Sequence, residues 1–287
     1  MRTTRLLAVV PVLLIACSTA RSLSTSRTVP LAAQVRADGL LFEVLYTAPD
    51  AAEIQRIQRG LLAVGPRLAR WGTFRQGVYI RVFPDHSALE SAVDRHGYPW
   101  LRAWAFGDQV LLQSPRSWTV EAGITVESEL DELLAHELTH SLMYQLIEPP
   151  DGSAWGEVAP EEPPLWFREG MASVTAGQGH RRLSGEELSK WLGTHPGADV
   201  LRPSPELYRT EKEAVYGAAH RAFDLLVRLC GDQAVRDVLR SMREGARFAD
   251  AFKLATGQAL PDFEGEAVRS GFDLAAAHFK ARGAGGP

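Results

Sequence analysis

His136-Glu137-Leu138-Thr139-His140 sets two imidazoles four residues apart, with a carboxylate beside the first. On an α-helix four residues advance about 400°, so His136 and His140 leave the same face one turn apart. Two imidazoles placed in this way can both reach one Zn²⁺ at about 2.0–2.1 Å. Glu137 can reach a water on that metal without being a ligand itself. The pattern is short, however. With eight His in 287 residues, chance supplies roughly one or two such matches per hundred chains of this composition. A third ligand is needed to carry the reading.

A catalytic zinc usually has three protein ligands and one open position. The metzincin continuation fails, because the chain has Met143 and Leu146 where it needs glycine and histidine. Glu148, Glu157, Glu161 and Glu162 fall in the Pro-rich stretch 148–164 and read as solvated. Glu169 is different. It stands in Pro164-Leu165-Trp166-Phe167-Arg168-Glu169-Gly170-Met171-Ala172, a Pro-started apolar helix. A carboxylate among Trp, Phe, Met and Ala needs a partner. Its separation from His140 leaves room for a loop and an antiparallel return.

HELTH followed by PLWFREGMA resembles the gluzincin metallopeptidases, specifically the peptidase MA-like group. Those proteins pair an H-E-x-x-H helix with a W-x-x-E-G-x-A helix that carries a zinc Glu, and the resemblance extends over most of residues 40–270. It implies that His136, His140 and Glu169 bind Zn²⁺, that Glu137 is the general base, and that the substrate is a peptide or protein. It also implies a downstream oxyanion donor. Tyr216, in Ala214-Val215-Tyr216-Gly217, takes that place or else is a core Tyr at a helix start. His220, one turn on, reads as structural or as support for a ligand. The chain departs from the pattern at Ser173, where many gluzincins carry an acidic residue that orients a His ligand. Orientation must then come from Ser173, another carboxylate or a backbone carbonyl.

The elements that must hold these residues follow from periodicity. Leu130, Leu133, Leu134, Leu138, Leu142 and Leu146 give the H-E-x-x-H segment a broad apolar helical surface, with Ser128 and Asp131 as the expected cap. Upstream, Leu40–Tyr46 and Val78–Phe83 read as strands. Residues 51–70 form an amphipathic helix interrupted at Gly65-Pro66, and Ser87 with Glu90 signals a capped helix running to about His96. Residues 101–113 read as a hairpin turning at Gly107-Asp108, with Trp100, Trp104 and Trp118 beside it as core or cleft wall. Its strand Gln109–Gln113 is expected at the sheet edge, where such proteins pair with extended peptide. After about residue 124 the signals are nearly all helical. The expected class is α+β: an N-terminal α/β lobe with a mixed sheet over about 39–120, then a mainly helical lobe over about 121–275, within a zincin-like domain at 39–287.

The N-terminus reads as an address. Arg2 and Arg5 precede an apolar run from Leu6 to Ala16, which is too short to span a bilayer and right for a signal peptide over 1–16. Leu14-Ile15-Ala16-Cys17 resembles a bacterial lipobox. That implies cleavage before Cys17 and a lipid on it; an ordinary signal peptide with an incidental Cys is the alternative. Residues 17–38 read as a flexible tether rich in Ser, Thr and Arg. The expected location is the cell envelope, facing the periplasm or the cell surface. Cys230, set among leucines, reads as a buried inert thiol.

Composition adds exclusions. A net charge of −4 argues against nucleic acid as a partner. Only four of the 31 basic residues are Lys, and the Arg are scattered. An apolar fraction of 45% excludes disorder and a multi-span membrane chain. A lipid-anchored zinc protein without turnover, serving as an envelope scaffold or peptide-binding module, is the competing function. Oligomeric state has no signal in the chain.

Overall fold

The structure, a computed structural model, describes residues 30–37, 40–149 and 161–270. The signal peptide, Cys17, most of the tether, Trp155 and Glu157 lie outside the described residues. Five strands form one mixed sheet: β1 (Leu31–Ala37), β2 (Leu40–Tyr46), β3 (Val78–Phe83), β4 (Ala103–Phe106) and β5 (Gln109–Gln113), in the order β1-β2-β3-β5-β4. The two outer pairs, β1 with β2 and β4 with β5, are antiparallel, and the inner pairs are parallel. The class is α+β, as the sequence predicts.

Alternation assigns the two faces. Phe42, Val44, Val78, Ile80, Val110 and Leu112 share one face through the registers Phe42↔Val78, Val44↔Ile80 and Ile80↔Val110. They are buried against α1 (Glu53–Leu68) and α3 (Val126–Ile147). On the opposite face Phe83 and Leu101 meet Leu89 of α2 (His86–Val93), with Trp104 and Leu111 around them.

The helical lobe follows. α4 (Leu165–Ala176) lies between α3 and α7 (Lys212–Arg243), which is broken at Gly231 with φ 77°. Trp166 and Phe167 of α4 nucleate an aromatic core with Phe223 of α7, Phe248 and Phe252 of α8 (Phe248–Thr256) and Phe263 of α9 (Leu260–Arg269). Two shorter helices, α5 (Gly185–Thr194) and α6 (Pro205–Thr210), pack on α7. Among the described residues no helix is long and apolar enough to cross a membrane.

Several boundaries differ from the sequence expectations. The tether expected over 17–38 gives way to β1, whose Val35 and Ala37 are buried while most of its other residues face water. Helix α1 runs unbroken through Pro66. The carbonyl left without its donor belongs to Leu62, on the exposed side, where water can take over the lost bond. Asp85, not Ser87, caps α2 through Ala88 N–H, and Glu90 accepts instead from Tyr98 N–H. Thr125 and Ser128 form the capping box of α3, in place of Ser128 and Asp131. Strand β5 is interior and β4 is the edge. The run Val110-Leu111-Leu112 is apolar on both faces, which suits a strand covered on both sides.

Candidate metal centre

Helix α3 is the central helix of the molecule. Leu130, Leu134, Leu138 and Leu142, spaced by four, are fully buried against the sheet and α1. His136, Glu137 and His140 therefore emerge on the side that faces β4 and α4, where all three line a cleft of about 930 Å³. Helix α4 crosses α3 and brings Glu169 into the same cleft. Gly170 lets α4 pack closely on α7. A Cβ there would sit 2.3 Å from the Ala219 carbonyl oxygen and 2.5 Å from Phe223 Cβ of α7.

The three groups expected to share a metal converge. His136 Nε2 lies 3.3 Å from His140 Nε2 and 3.3 Å from Glu169 Oε2, and His140 Nε2 lies 3.7 Å from Glu169 Oε2. A point equidistant from these atoms is about 2.0 Å from each, the length of a Zn–N or Zn–O bond. Glu169 Oε2 is buried and lacks a hydrogen bond of its own. A buried carboxylate oxygen aimed at two ring nitrogens fits a cation at their centre. Two imidazoles and one carboxylate are a donor set that suits Zn²⁺. Among the described residues this is the cluster of His and acidic groups able to hold an ion.

The local electrostatics agree with this fit. Burial would push the Glu169 carboxyl up, but His140 and His136 reverse that and hold it well below the usual carboxylate range. Burial pushes down the His140 imidazole, and Glu169 more than restores it. Glu137 moves the other way. Desolvation raises its proton affinity against the pull of both imidazoles, and the Ala105 backbone N–H of β4 faces its carboxylate.

Tyr216 of α7 lines the same cleft. Its hydroxyl is 2.8 Å from that of Tyr208 on α6, and Trp100 meets both rings edge-on. Burial pushes the Tyr208 phenol up to about 12 and the Tyr216 phenol well above its ordinary value, so both are protonated donors. Trp100 and Trp104 are cleft wall. Trp118 is core, its indole N–H donating to the Gln113 carbonyl. Glu162 is exposed but lines the cleft rim and pairs with Arg168. Cys230 is half-buried against the core.

Sequence reasoning missed what surrounds the expected ligands. Ser173 does not reach them; its Oγ lies 3.0 Å from His220 Nδ1 and accepts from Arg182 Nε. His220 is thus a partner of Ser173, with burial and then Arg221 pushing it down to about 4. The group that meets His136 is Gln178, in the 3-10 turn Gln178–Arg181 that follows α4. Its only sequence signal is its place between Gly177 and Gly179. Tyr208 carried no signal, since it sits in a six-residue helix brought in by tertiary packing.

No known family model matches the chain, and no curated protein matches it. Among solved structures the chain is similar to an M1 zinc metallopeptidase from Deinococcus radiodurans, at 13% identity over 90% of this chain and 54% of that one, with a TM-score of 0.40. It is similar to a two-domain M1 zinc metallopeptidase variant bound to L-arginine, at 14% identity over 85% and 51% of the two chains, with a TM-score of 0.43. A third likeness is to an aminopeptidase N family protein from Idiomarina loihiensis, at 15% identity over 80% and 42%, with a TM-score of 0.40. The chain spans about half the length of these structures.

Proposed function

We propose that this chain is a zinc-dependent peptidase. The observation that carries the reading is the meeting of His136, His140 and Glu169 around one point, with Glu137 beside them in an open cleft. His136, His140 and Glu169 would hold the ion. Bound there, zinc would polarise a carbonyl and make a water acidic. Glu137 takes the proton from the attacking water and delivers it to the leaving amine. Its raised proton affinity brings it closer to the working pH of such a base. Tyr216, kept protonated by burial, donates to the oxygen on which charge develops. Edge strand β4 leaves backbone groups beside Glu137 that an extended peptide can pair with.

The test is a peptide-library digest by the purified protein, with and without chelator, beside Glu137→Gln. Cleavage should stop with the chelator and in the variant, while the variant's zinc content stays that of the parent. Unchanged cleavage in Glu137→Gln overturns the mechanism. A parent that holds zinc and cleaves nothing would be a binding module instead.

We further propose that Cys17 carries a lipid that holds the protein to the envelope. The basis is the sequence of residues 1–17 alone. Detergent-phase partitioning of the full chain should be lost in Cys17→Ala. Equal partitioning of the two overturns the anchor.

A further inference from the structure

We propose that Gln178, itself held by Arg182, is the positioning residue of the His136 ligand and fixes which ring nitrogen faces the metal. The inference rests on the zinc reading above and extends it to residues that no motif marks. His136 Nδ1 lies 3.1 Å from Gln178 Oε1, and Arg182 Nη2 lies 2.7 Å from the same oxygen. A guanidinium can only donate. The Gln178 atom that meets it is therefore the carbonyl oxygen, and the amide orientation is settled without reference to the histidine. That oxygen is an acceptor, so the Nδ1 facing it must carry the hydrogen. Nε2 of His136 then points toward His140 Nε2 and Glu169 Oε2, the side from which it would meet an ion. With Nδ1 kept protonated, the lone pair an ion would use is on Nε2.

The surroundings hold Gln178 in place. Gly177 ends α4 in the left-handed region at φ 74°, which turns the chain back toward α3. Gly179 lies against His220, where a Cβ would come within 2.9 Å of His220 Nε2. Arg182 ties the assembly together. Its Nη2 holds Gln178, its Nε donates to Ser173 Oγ, and its guanidinium lies over the Tyr216 ring at 5.0 Å from the ring centroid. Ser173 is engaged with His220 and Arg182 and is too short to orient the ligand. An amide backed by a cation does here what a carboxylate one turn after Glu169 would otherwise do.

The experiment titrates zinc into the chelator-treated full chain against a competing metal indicator, for the parent, Gln178→Leu and Gln178→Glu. Far-UV circular dichroism confirms that each is folded. Gln178→Leu removes the acceptor at similar size and should weaken zinc binding roughly 10–100-fold. Gln178→Glu keeps an acceptor and should bind at least as tightly as the parent. Long-range ¹⁵N NMR of the zinc-loaded parent should show His136 bound through Nε2 with hydrogen on Nδ1, a preference lost in Gln178→Leu. Parent-like affinity in Gln178→Leu, equal weakening in both variants, or zinc bound through Nδ1 of His136 in the parent overturns the proposal. None of these readouts uses peptide hydrolysis. A failure of the peptidase reading alone would appear as tight zinc binding with this variant pattern and no cleavage.

Discussion

Gly170→Ala should separate the packing of α4 from its helical propensity and tie both to the metal. The new Cβ would lie 2.3 Å from the Ala219 carbonyl oxygen and 2.5 Å from Phe223 Cβ. Ordinary contact begins roughly 1 Å farther out, and neither neighbour is the free end of a flexible side chain, so α4 and α7 must move apart. Overpacking of this kind costs about 1–3 kcal/mol, against up to about 1 kcal/mol gained by replacing Gly with Ala inside a helix. Net destabilisation is expected. Glu169 is the adjacent residue, and metal–ligand distances tolerate about 0.2 Å, so a shift near 1 Å should also weaken zinc binding tenfold or more. The control is Gly193→Ala in α5, where an added Cβ meets nothing within 4 Å. That variant should be as stable as the parent or slightly more so, with zinc affinity unchanged. Urea unfolding and zinc titration of both variants check this. If Gly170→Ala matches Gly193→Ala in stability and zinc affinity, the close α4–α7 crossing does not hold Glu169 in place.

Other outcomes follow from the same site. Tyr216→Phe should lower peptide turnover roughly 10²–10³-fold, as loss of one oxyanion donor does, with zinc content unchanged; full turnover removes Tyr216 from the mechanism. Zinc at one hundred times its dissociation constant should stabilise the chelator-treated chain by about 2.7 kcal/mol, read as a rise in melting temperature that depends on zinc concentration. His220 should make the zinc-free fold sensitive to acid. Its folded value, about 4, lies below the ordinary 6.5, so between those values the unfolded chain holds the extra proton and stability falls as pH falls. The loss amounts to at most about 3 kcal/mol by pH 4, and His220→Gln should remove most of that pH dependence. An equal acid slope in parent and variant would assign the sensitivity elsewhere.

What could be read from the chain and what could not divide along a physical line. His136, Glu137 and His140 are legible because a helix converts a spacing of four into a shared face, a local rule that needs no tertiary knowledge. Glu169 is legible by contrast: a carboxylate in an apolar run demands a partner. The fold class follows from period-2 segments giving way to period-3.6 segments. Strand β1 escapes because only Val35 and Ala37 of its seven residues are buried, too thin a hydrophobic signal to separate a strand from a tether. The edge position of β4 escapes because parallel pairing of β3 with β5 joins segments distant in sequence.

Gln178 escapes for the most instructive reason. The expectation at Ser173 assumes that a ligand's partner lies one turn after Glu169 on the same helix. Here Ser173 is taken by His220, and Gly177 ends the helix early enough for the next residue to turn back onto α3. Helix spacing can predict the atoms that touch a metal, because one rigid element presents them. It cannot predict the groups that orient those atoms, because they arrive on whichever neighbouring turn the packing leaves nearest. In this chain Arg182 marks that turn. A cation bonded at once to Gln178 and Ser173 is the reason an amide, with no charge of its own, can fix the side of the His136 ring that it meets.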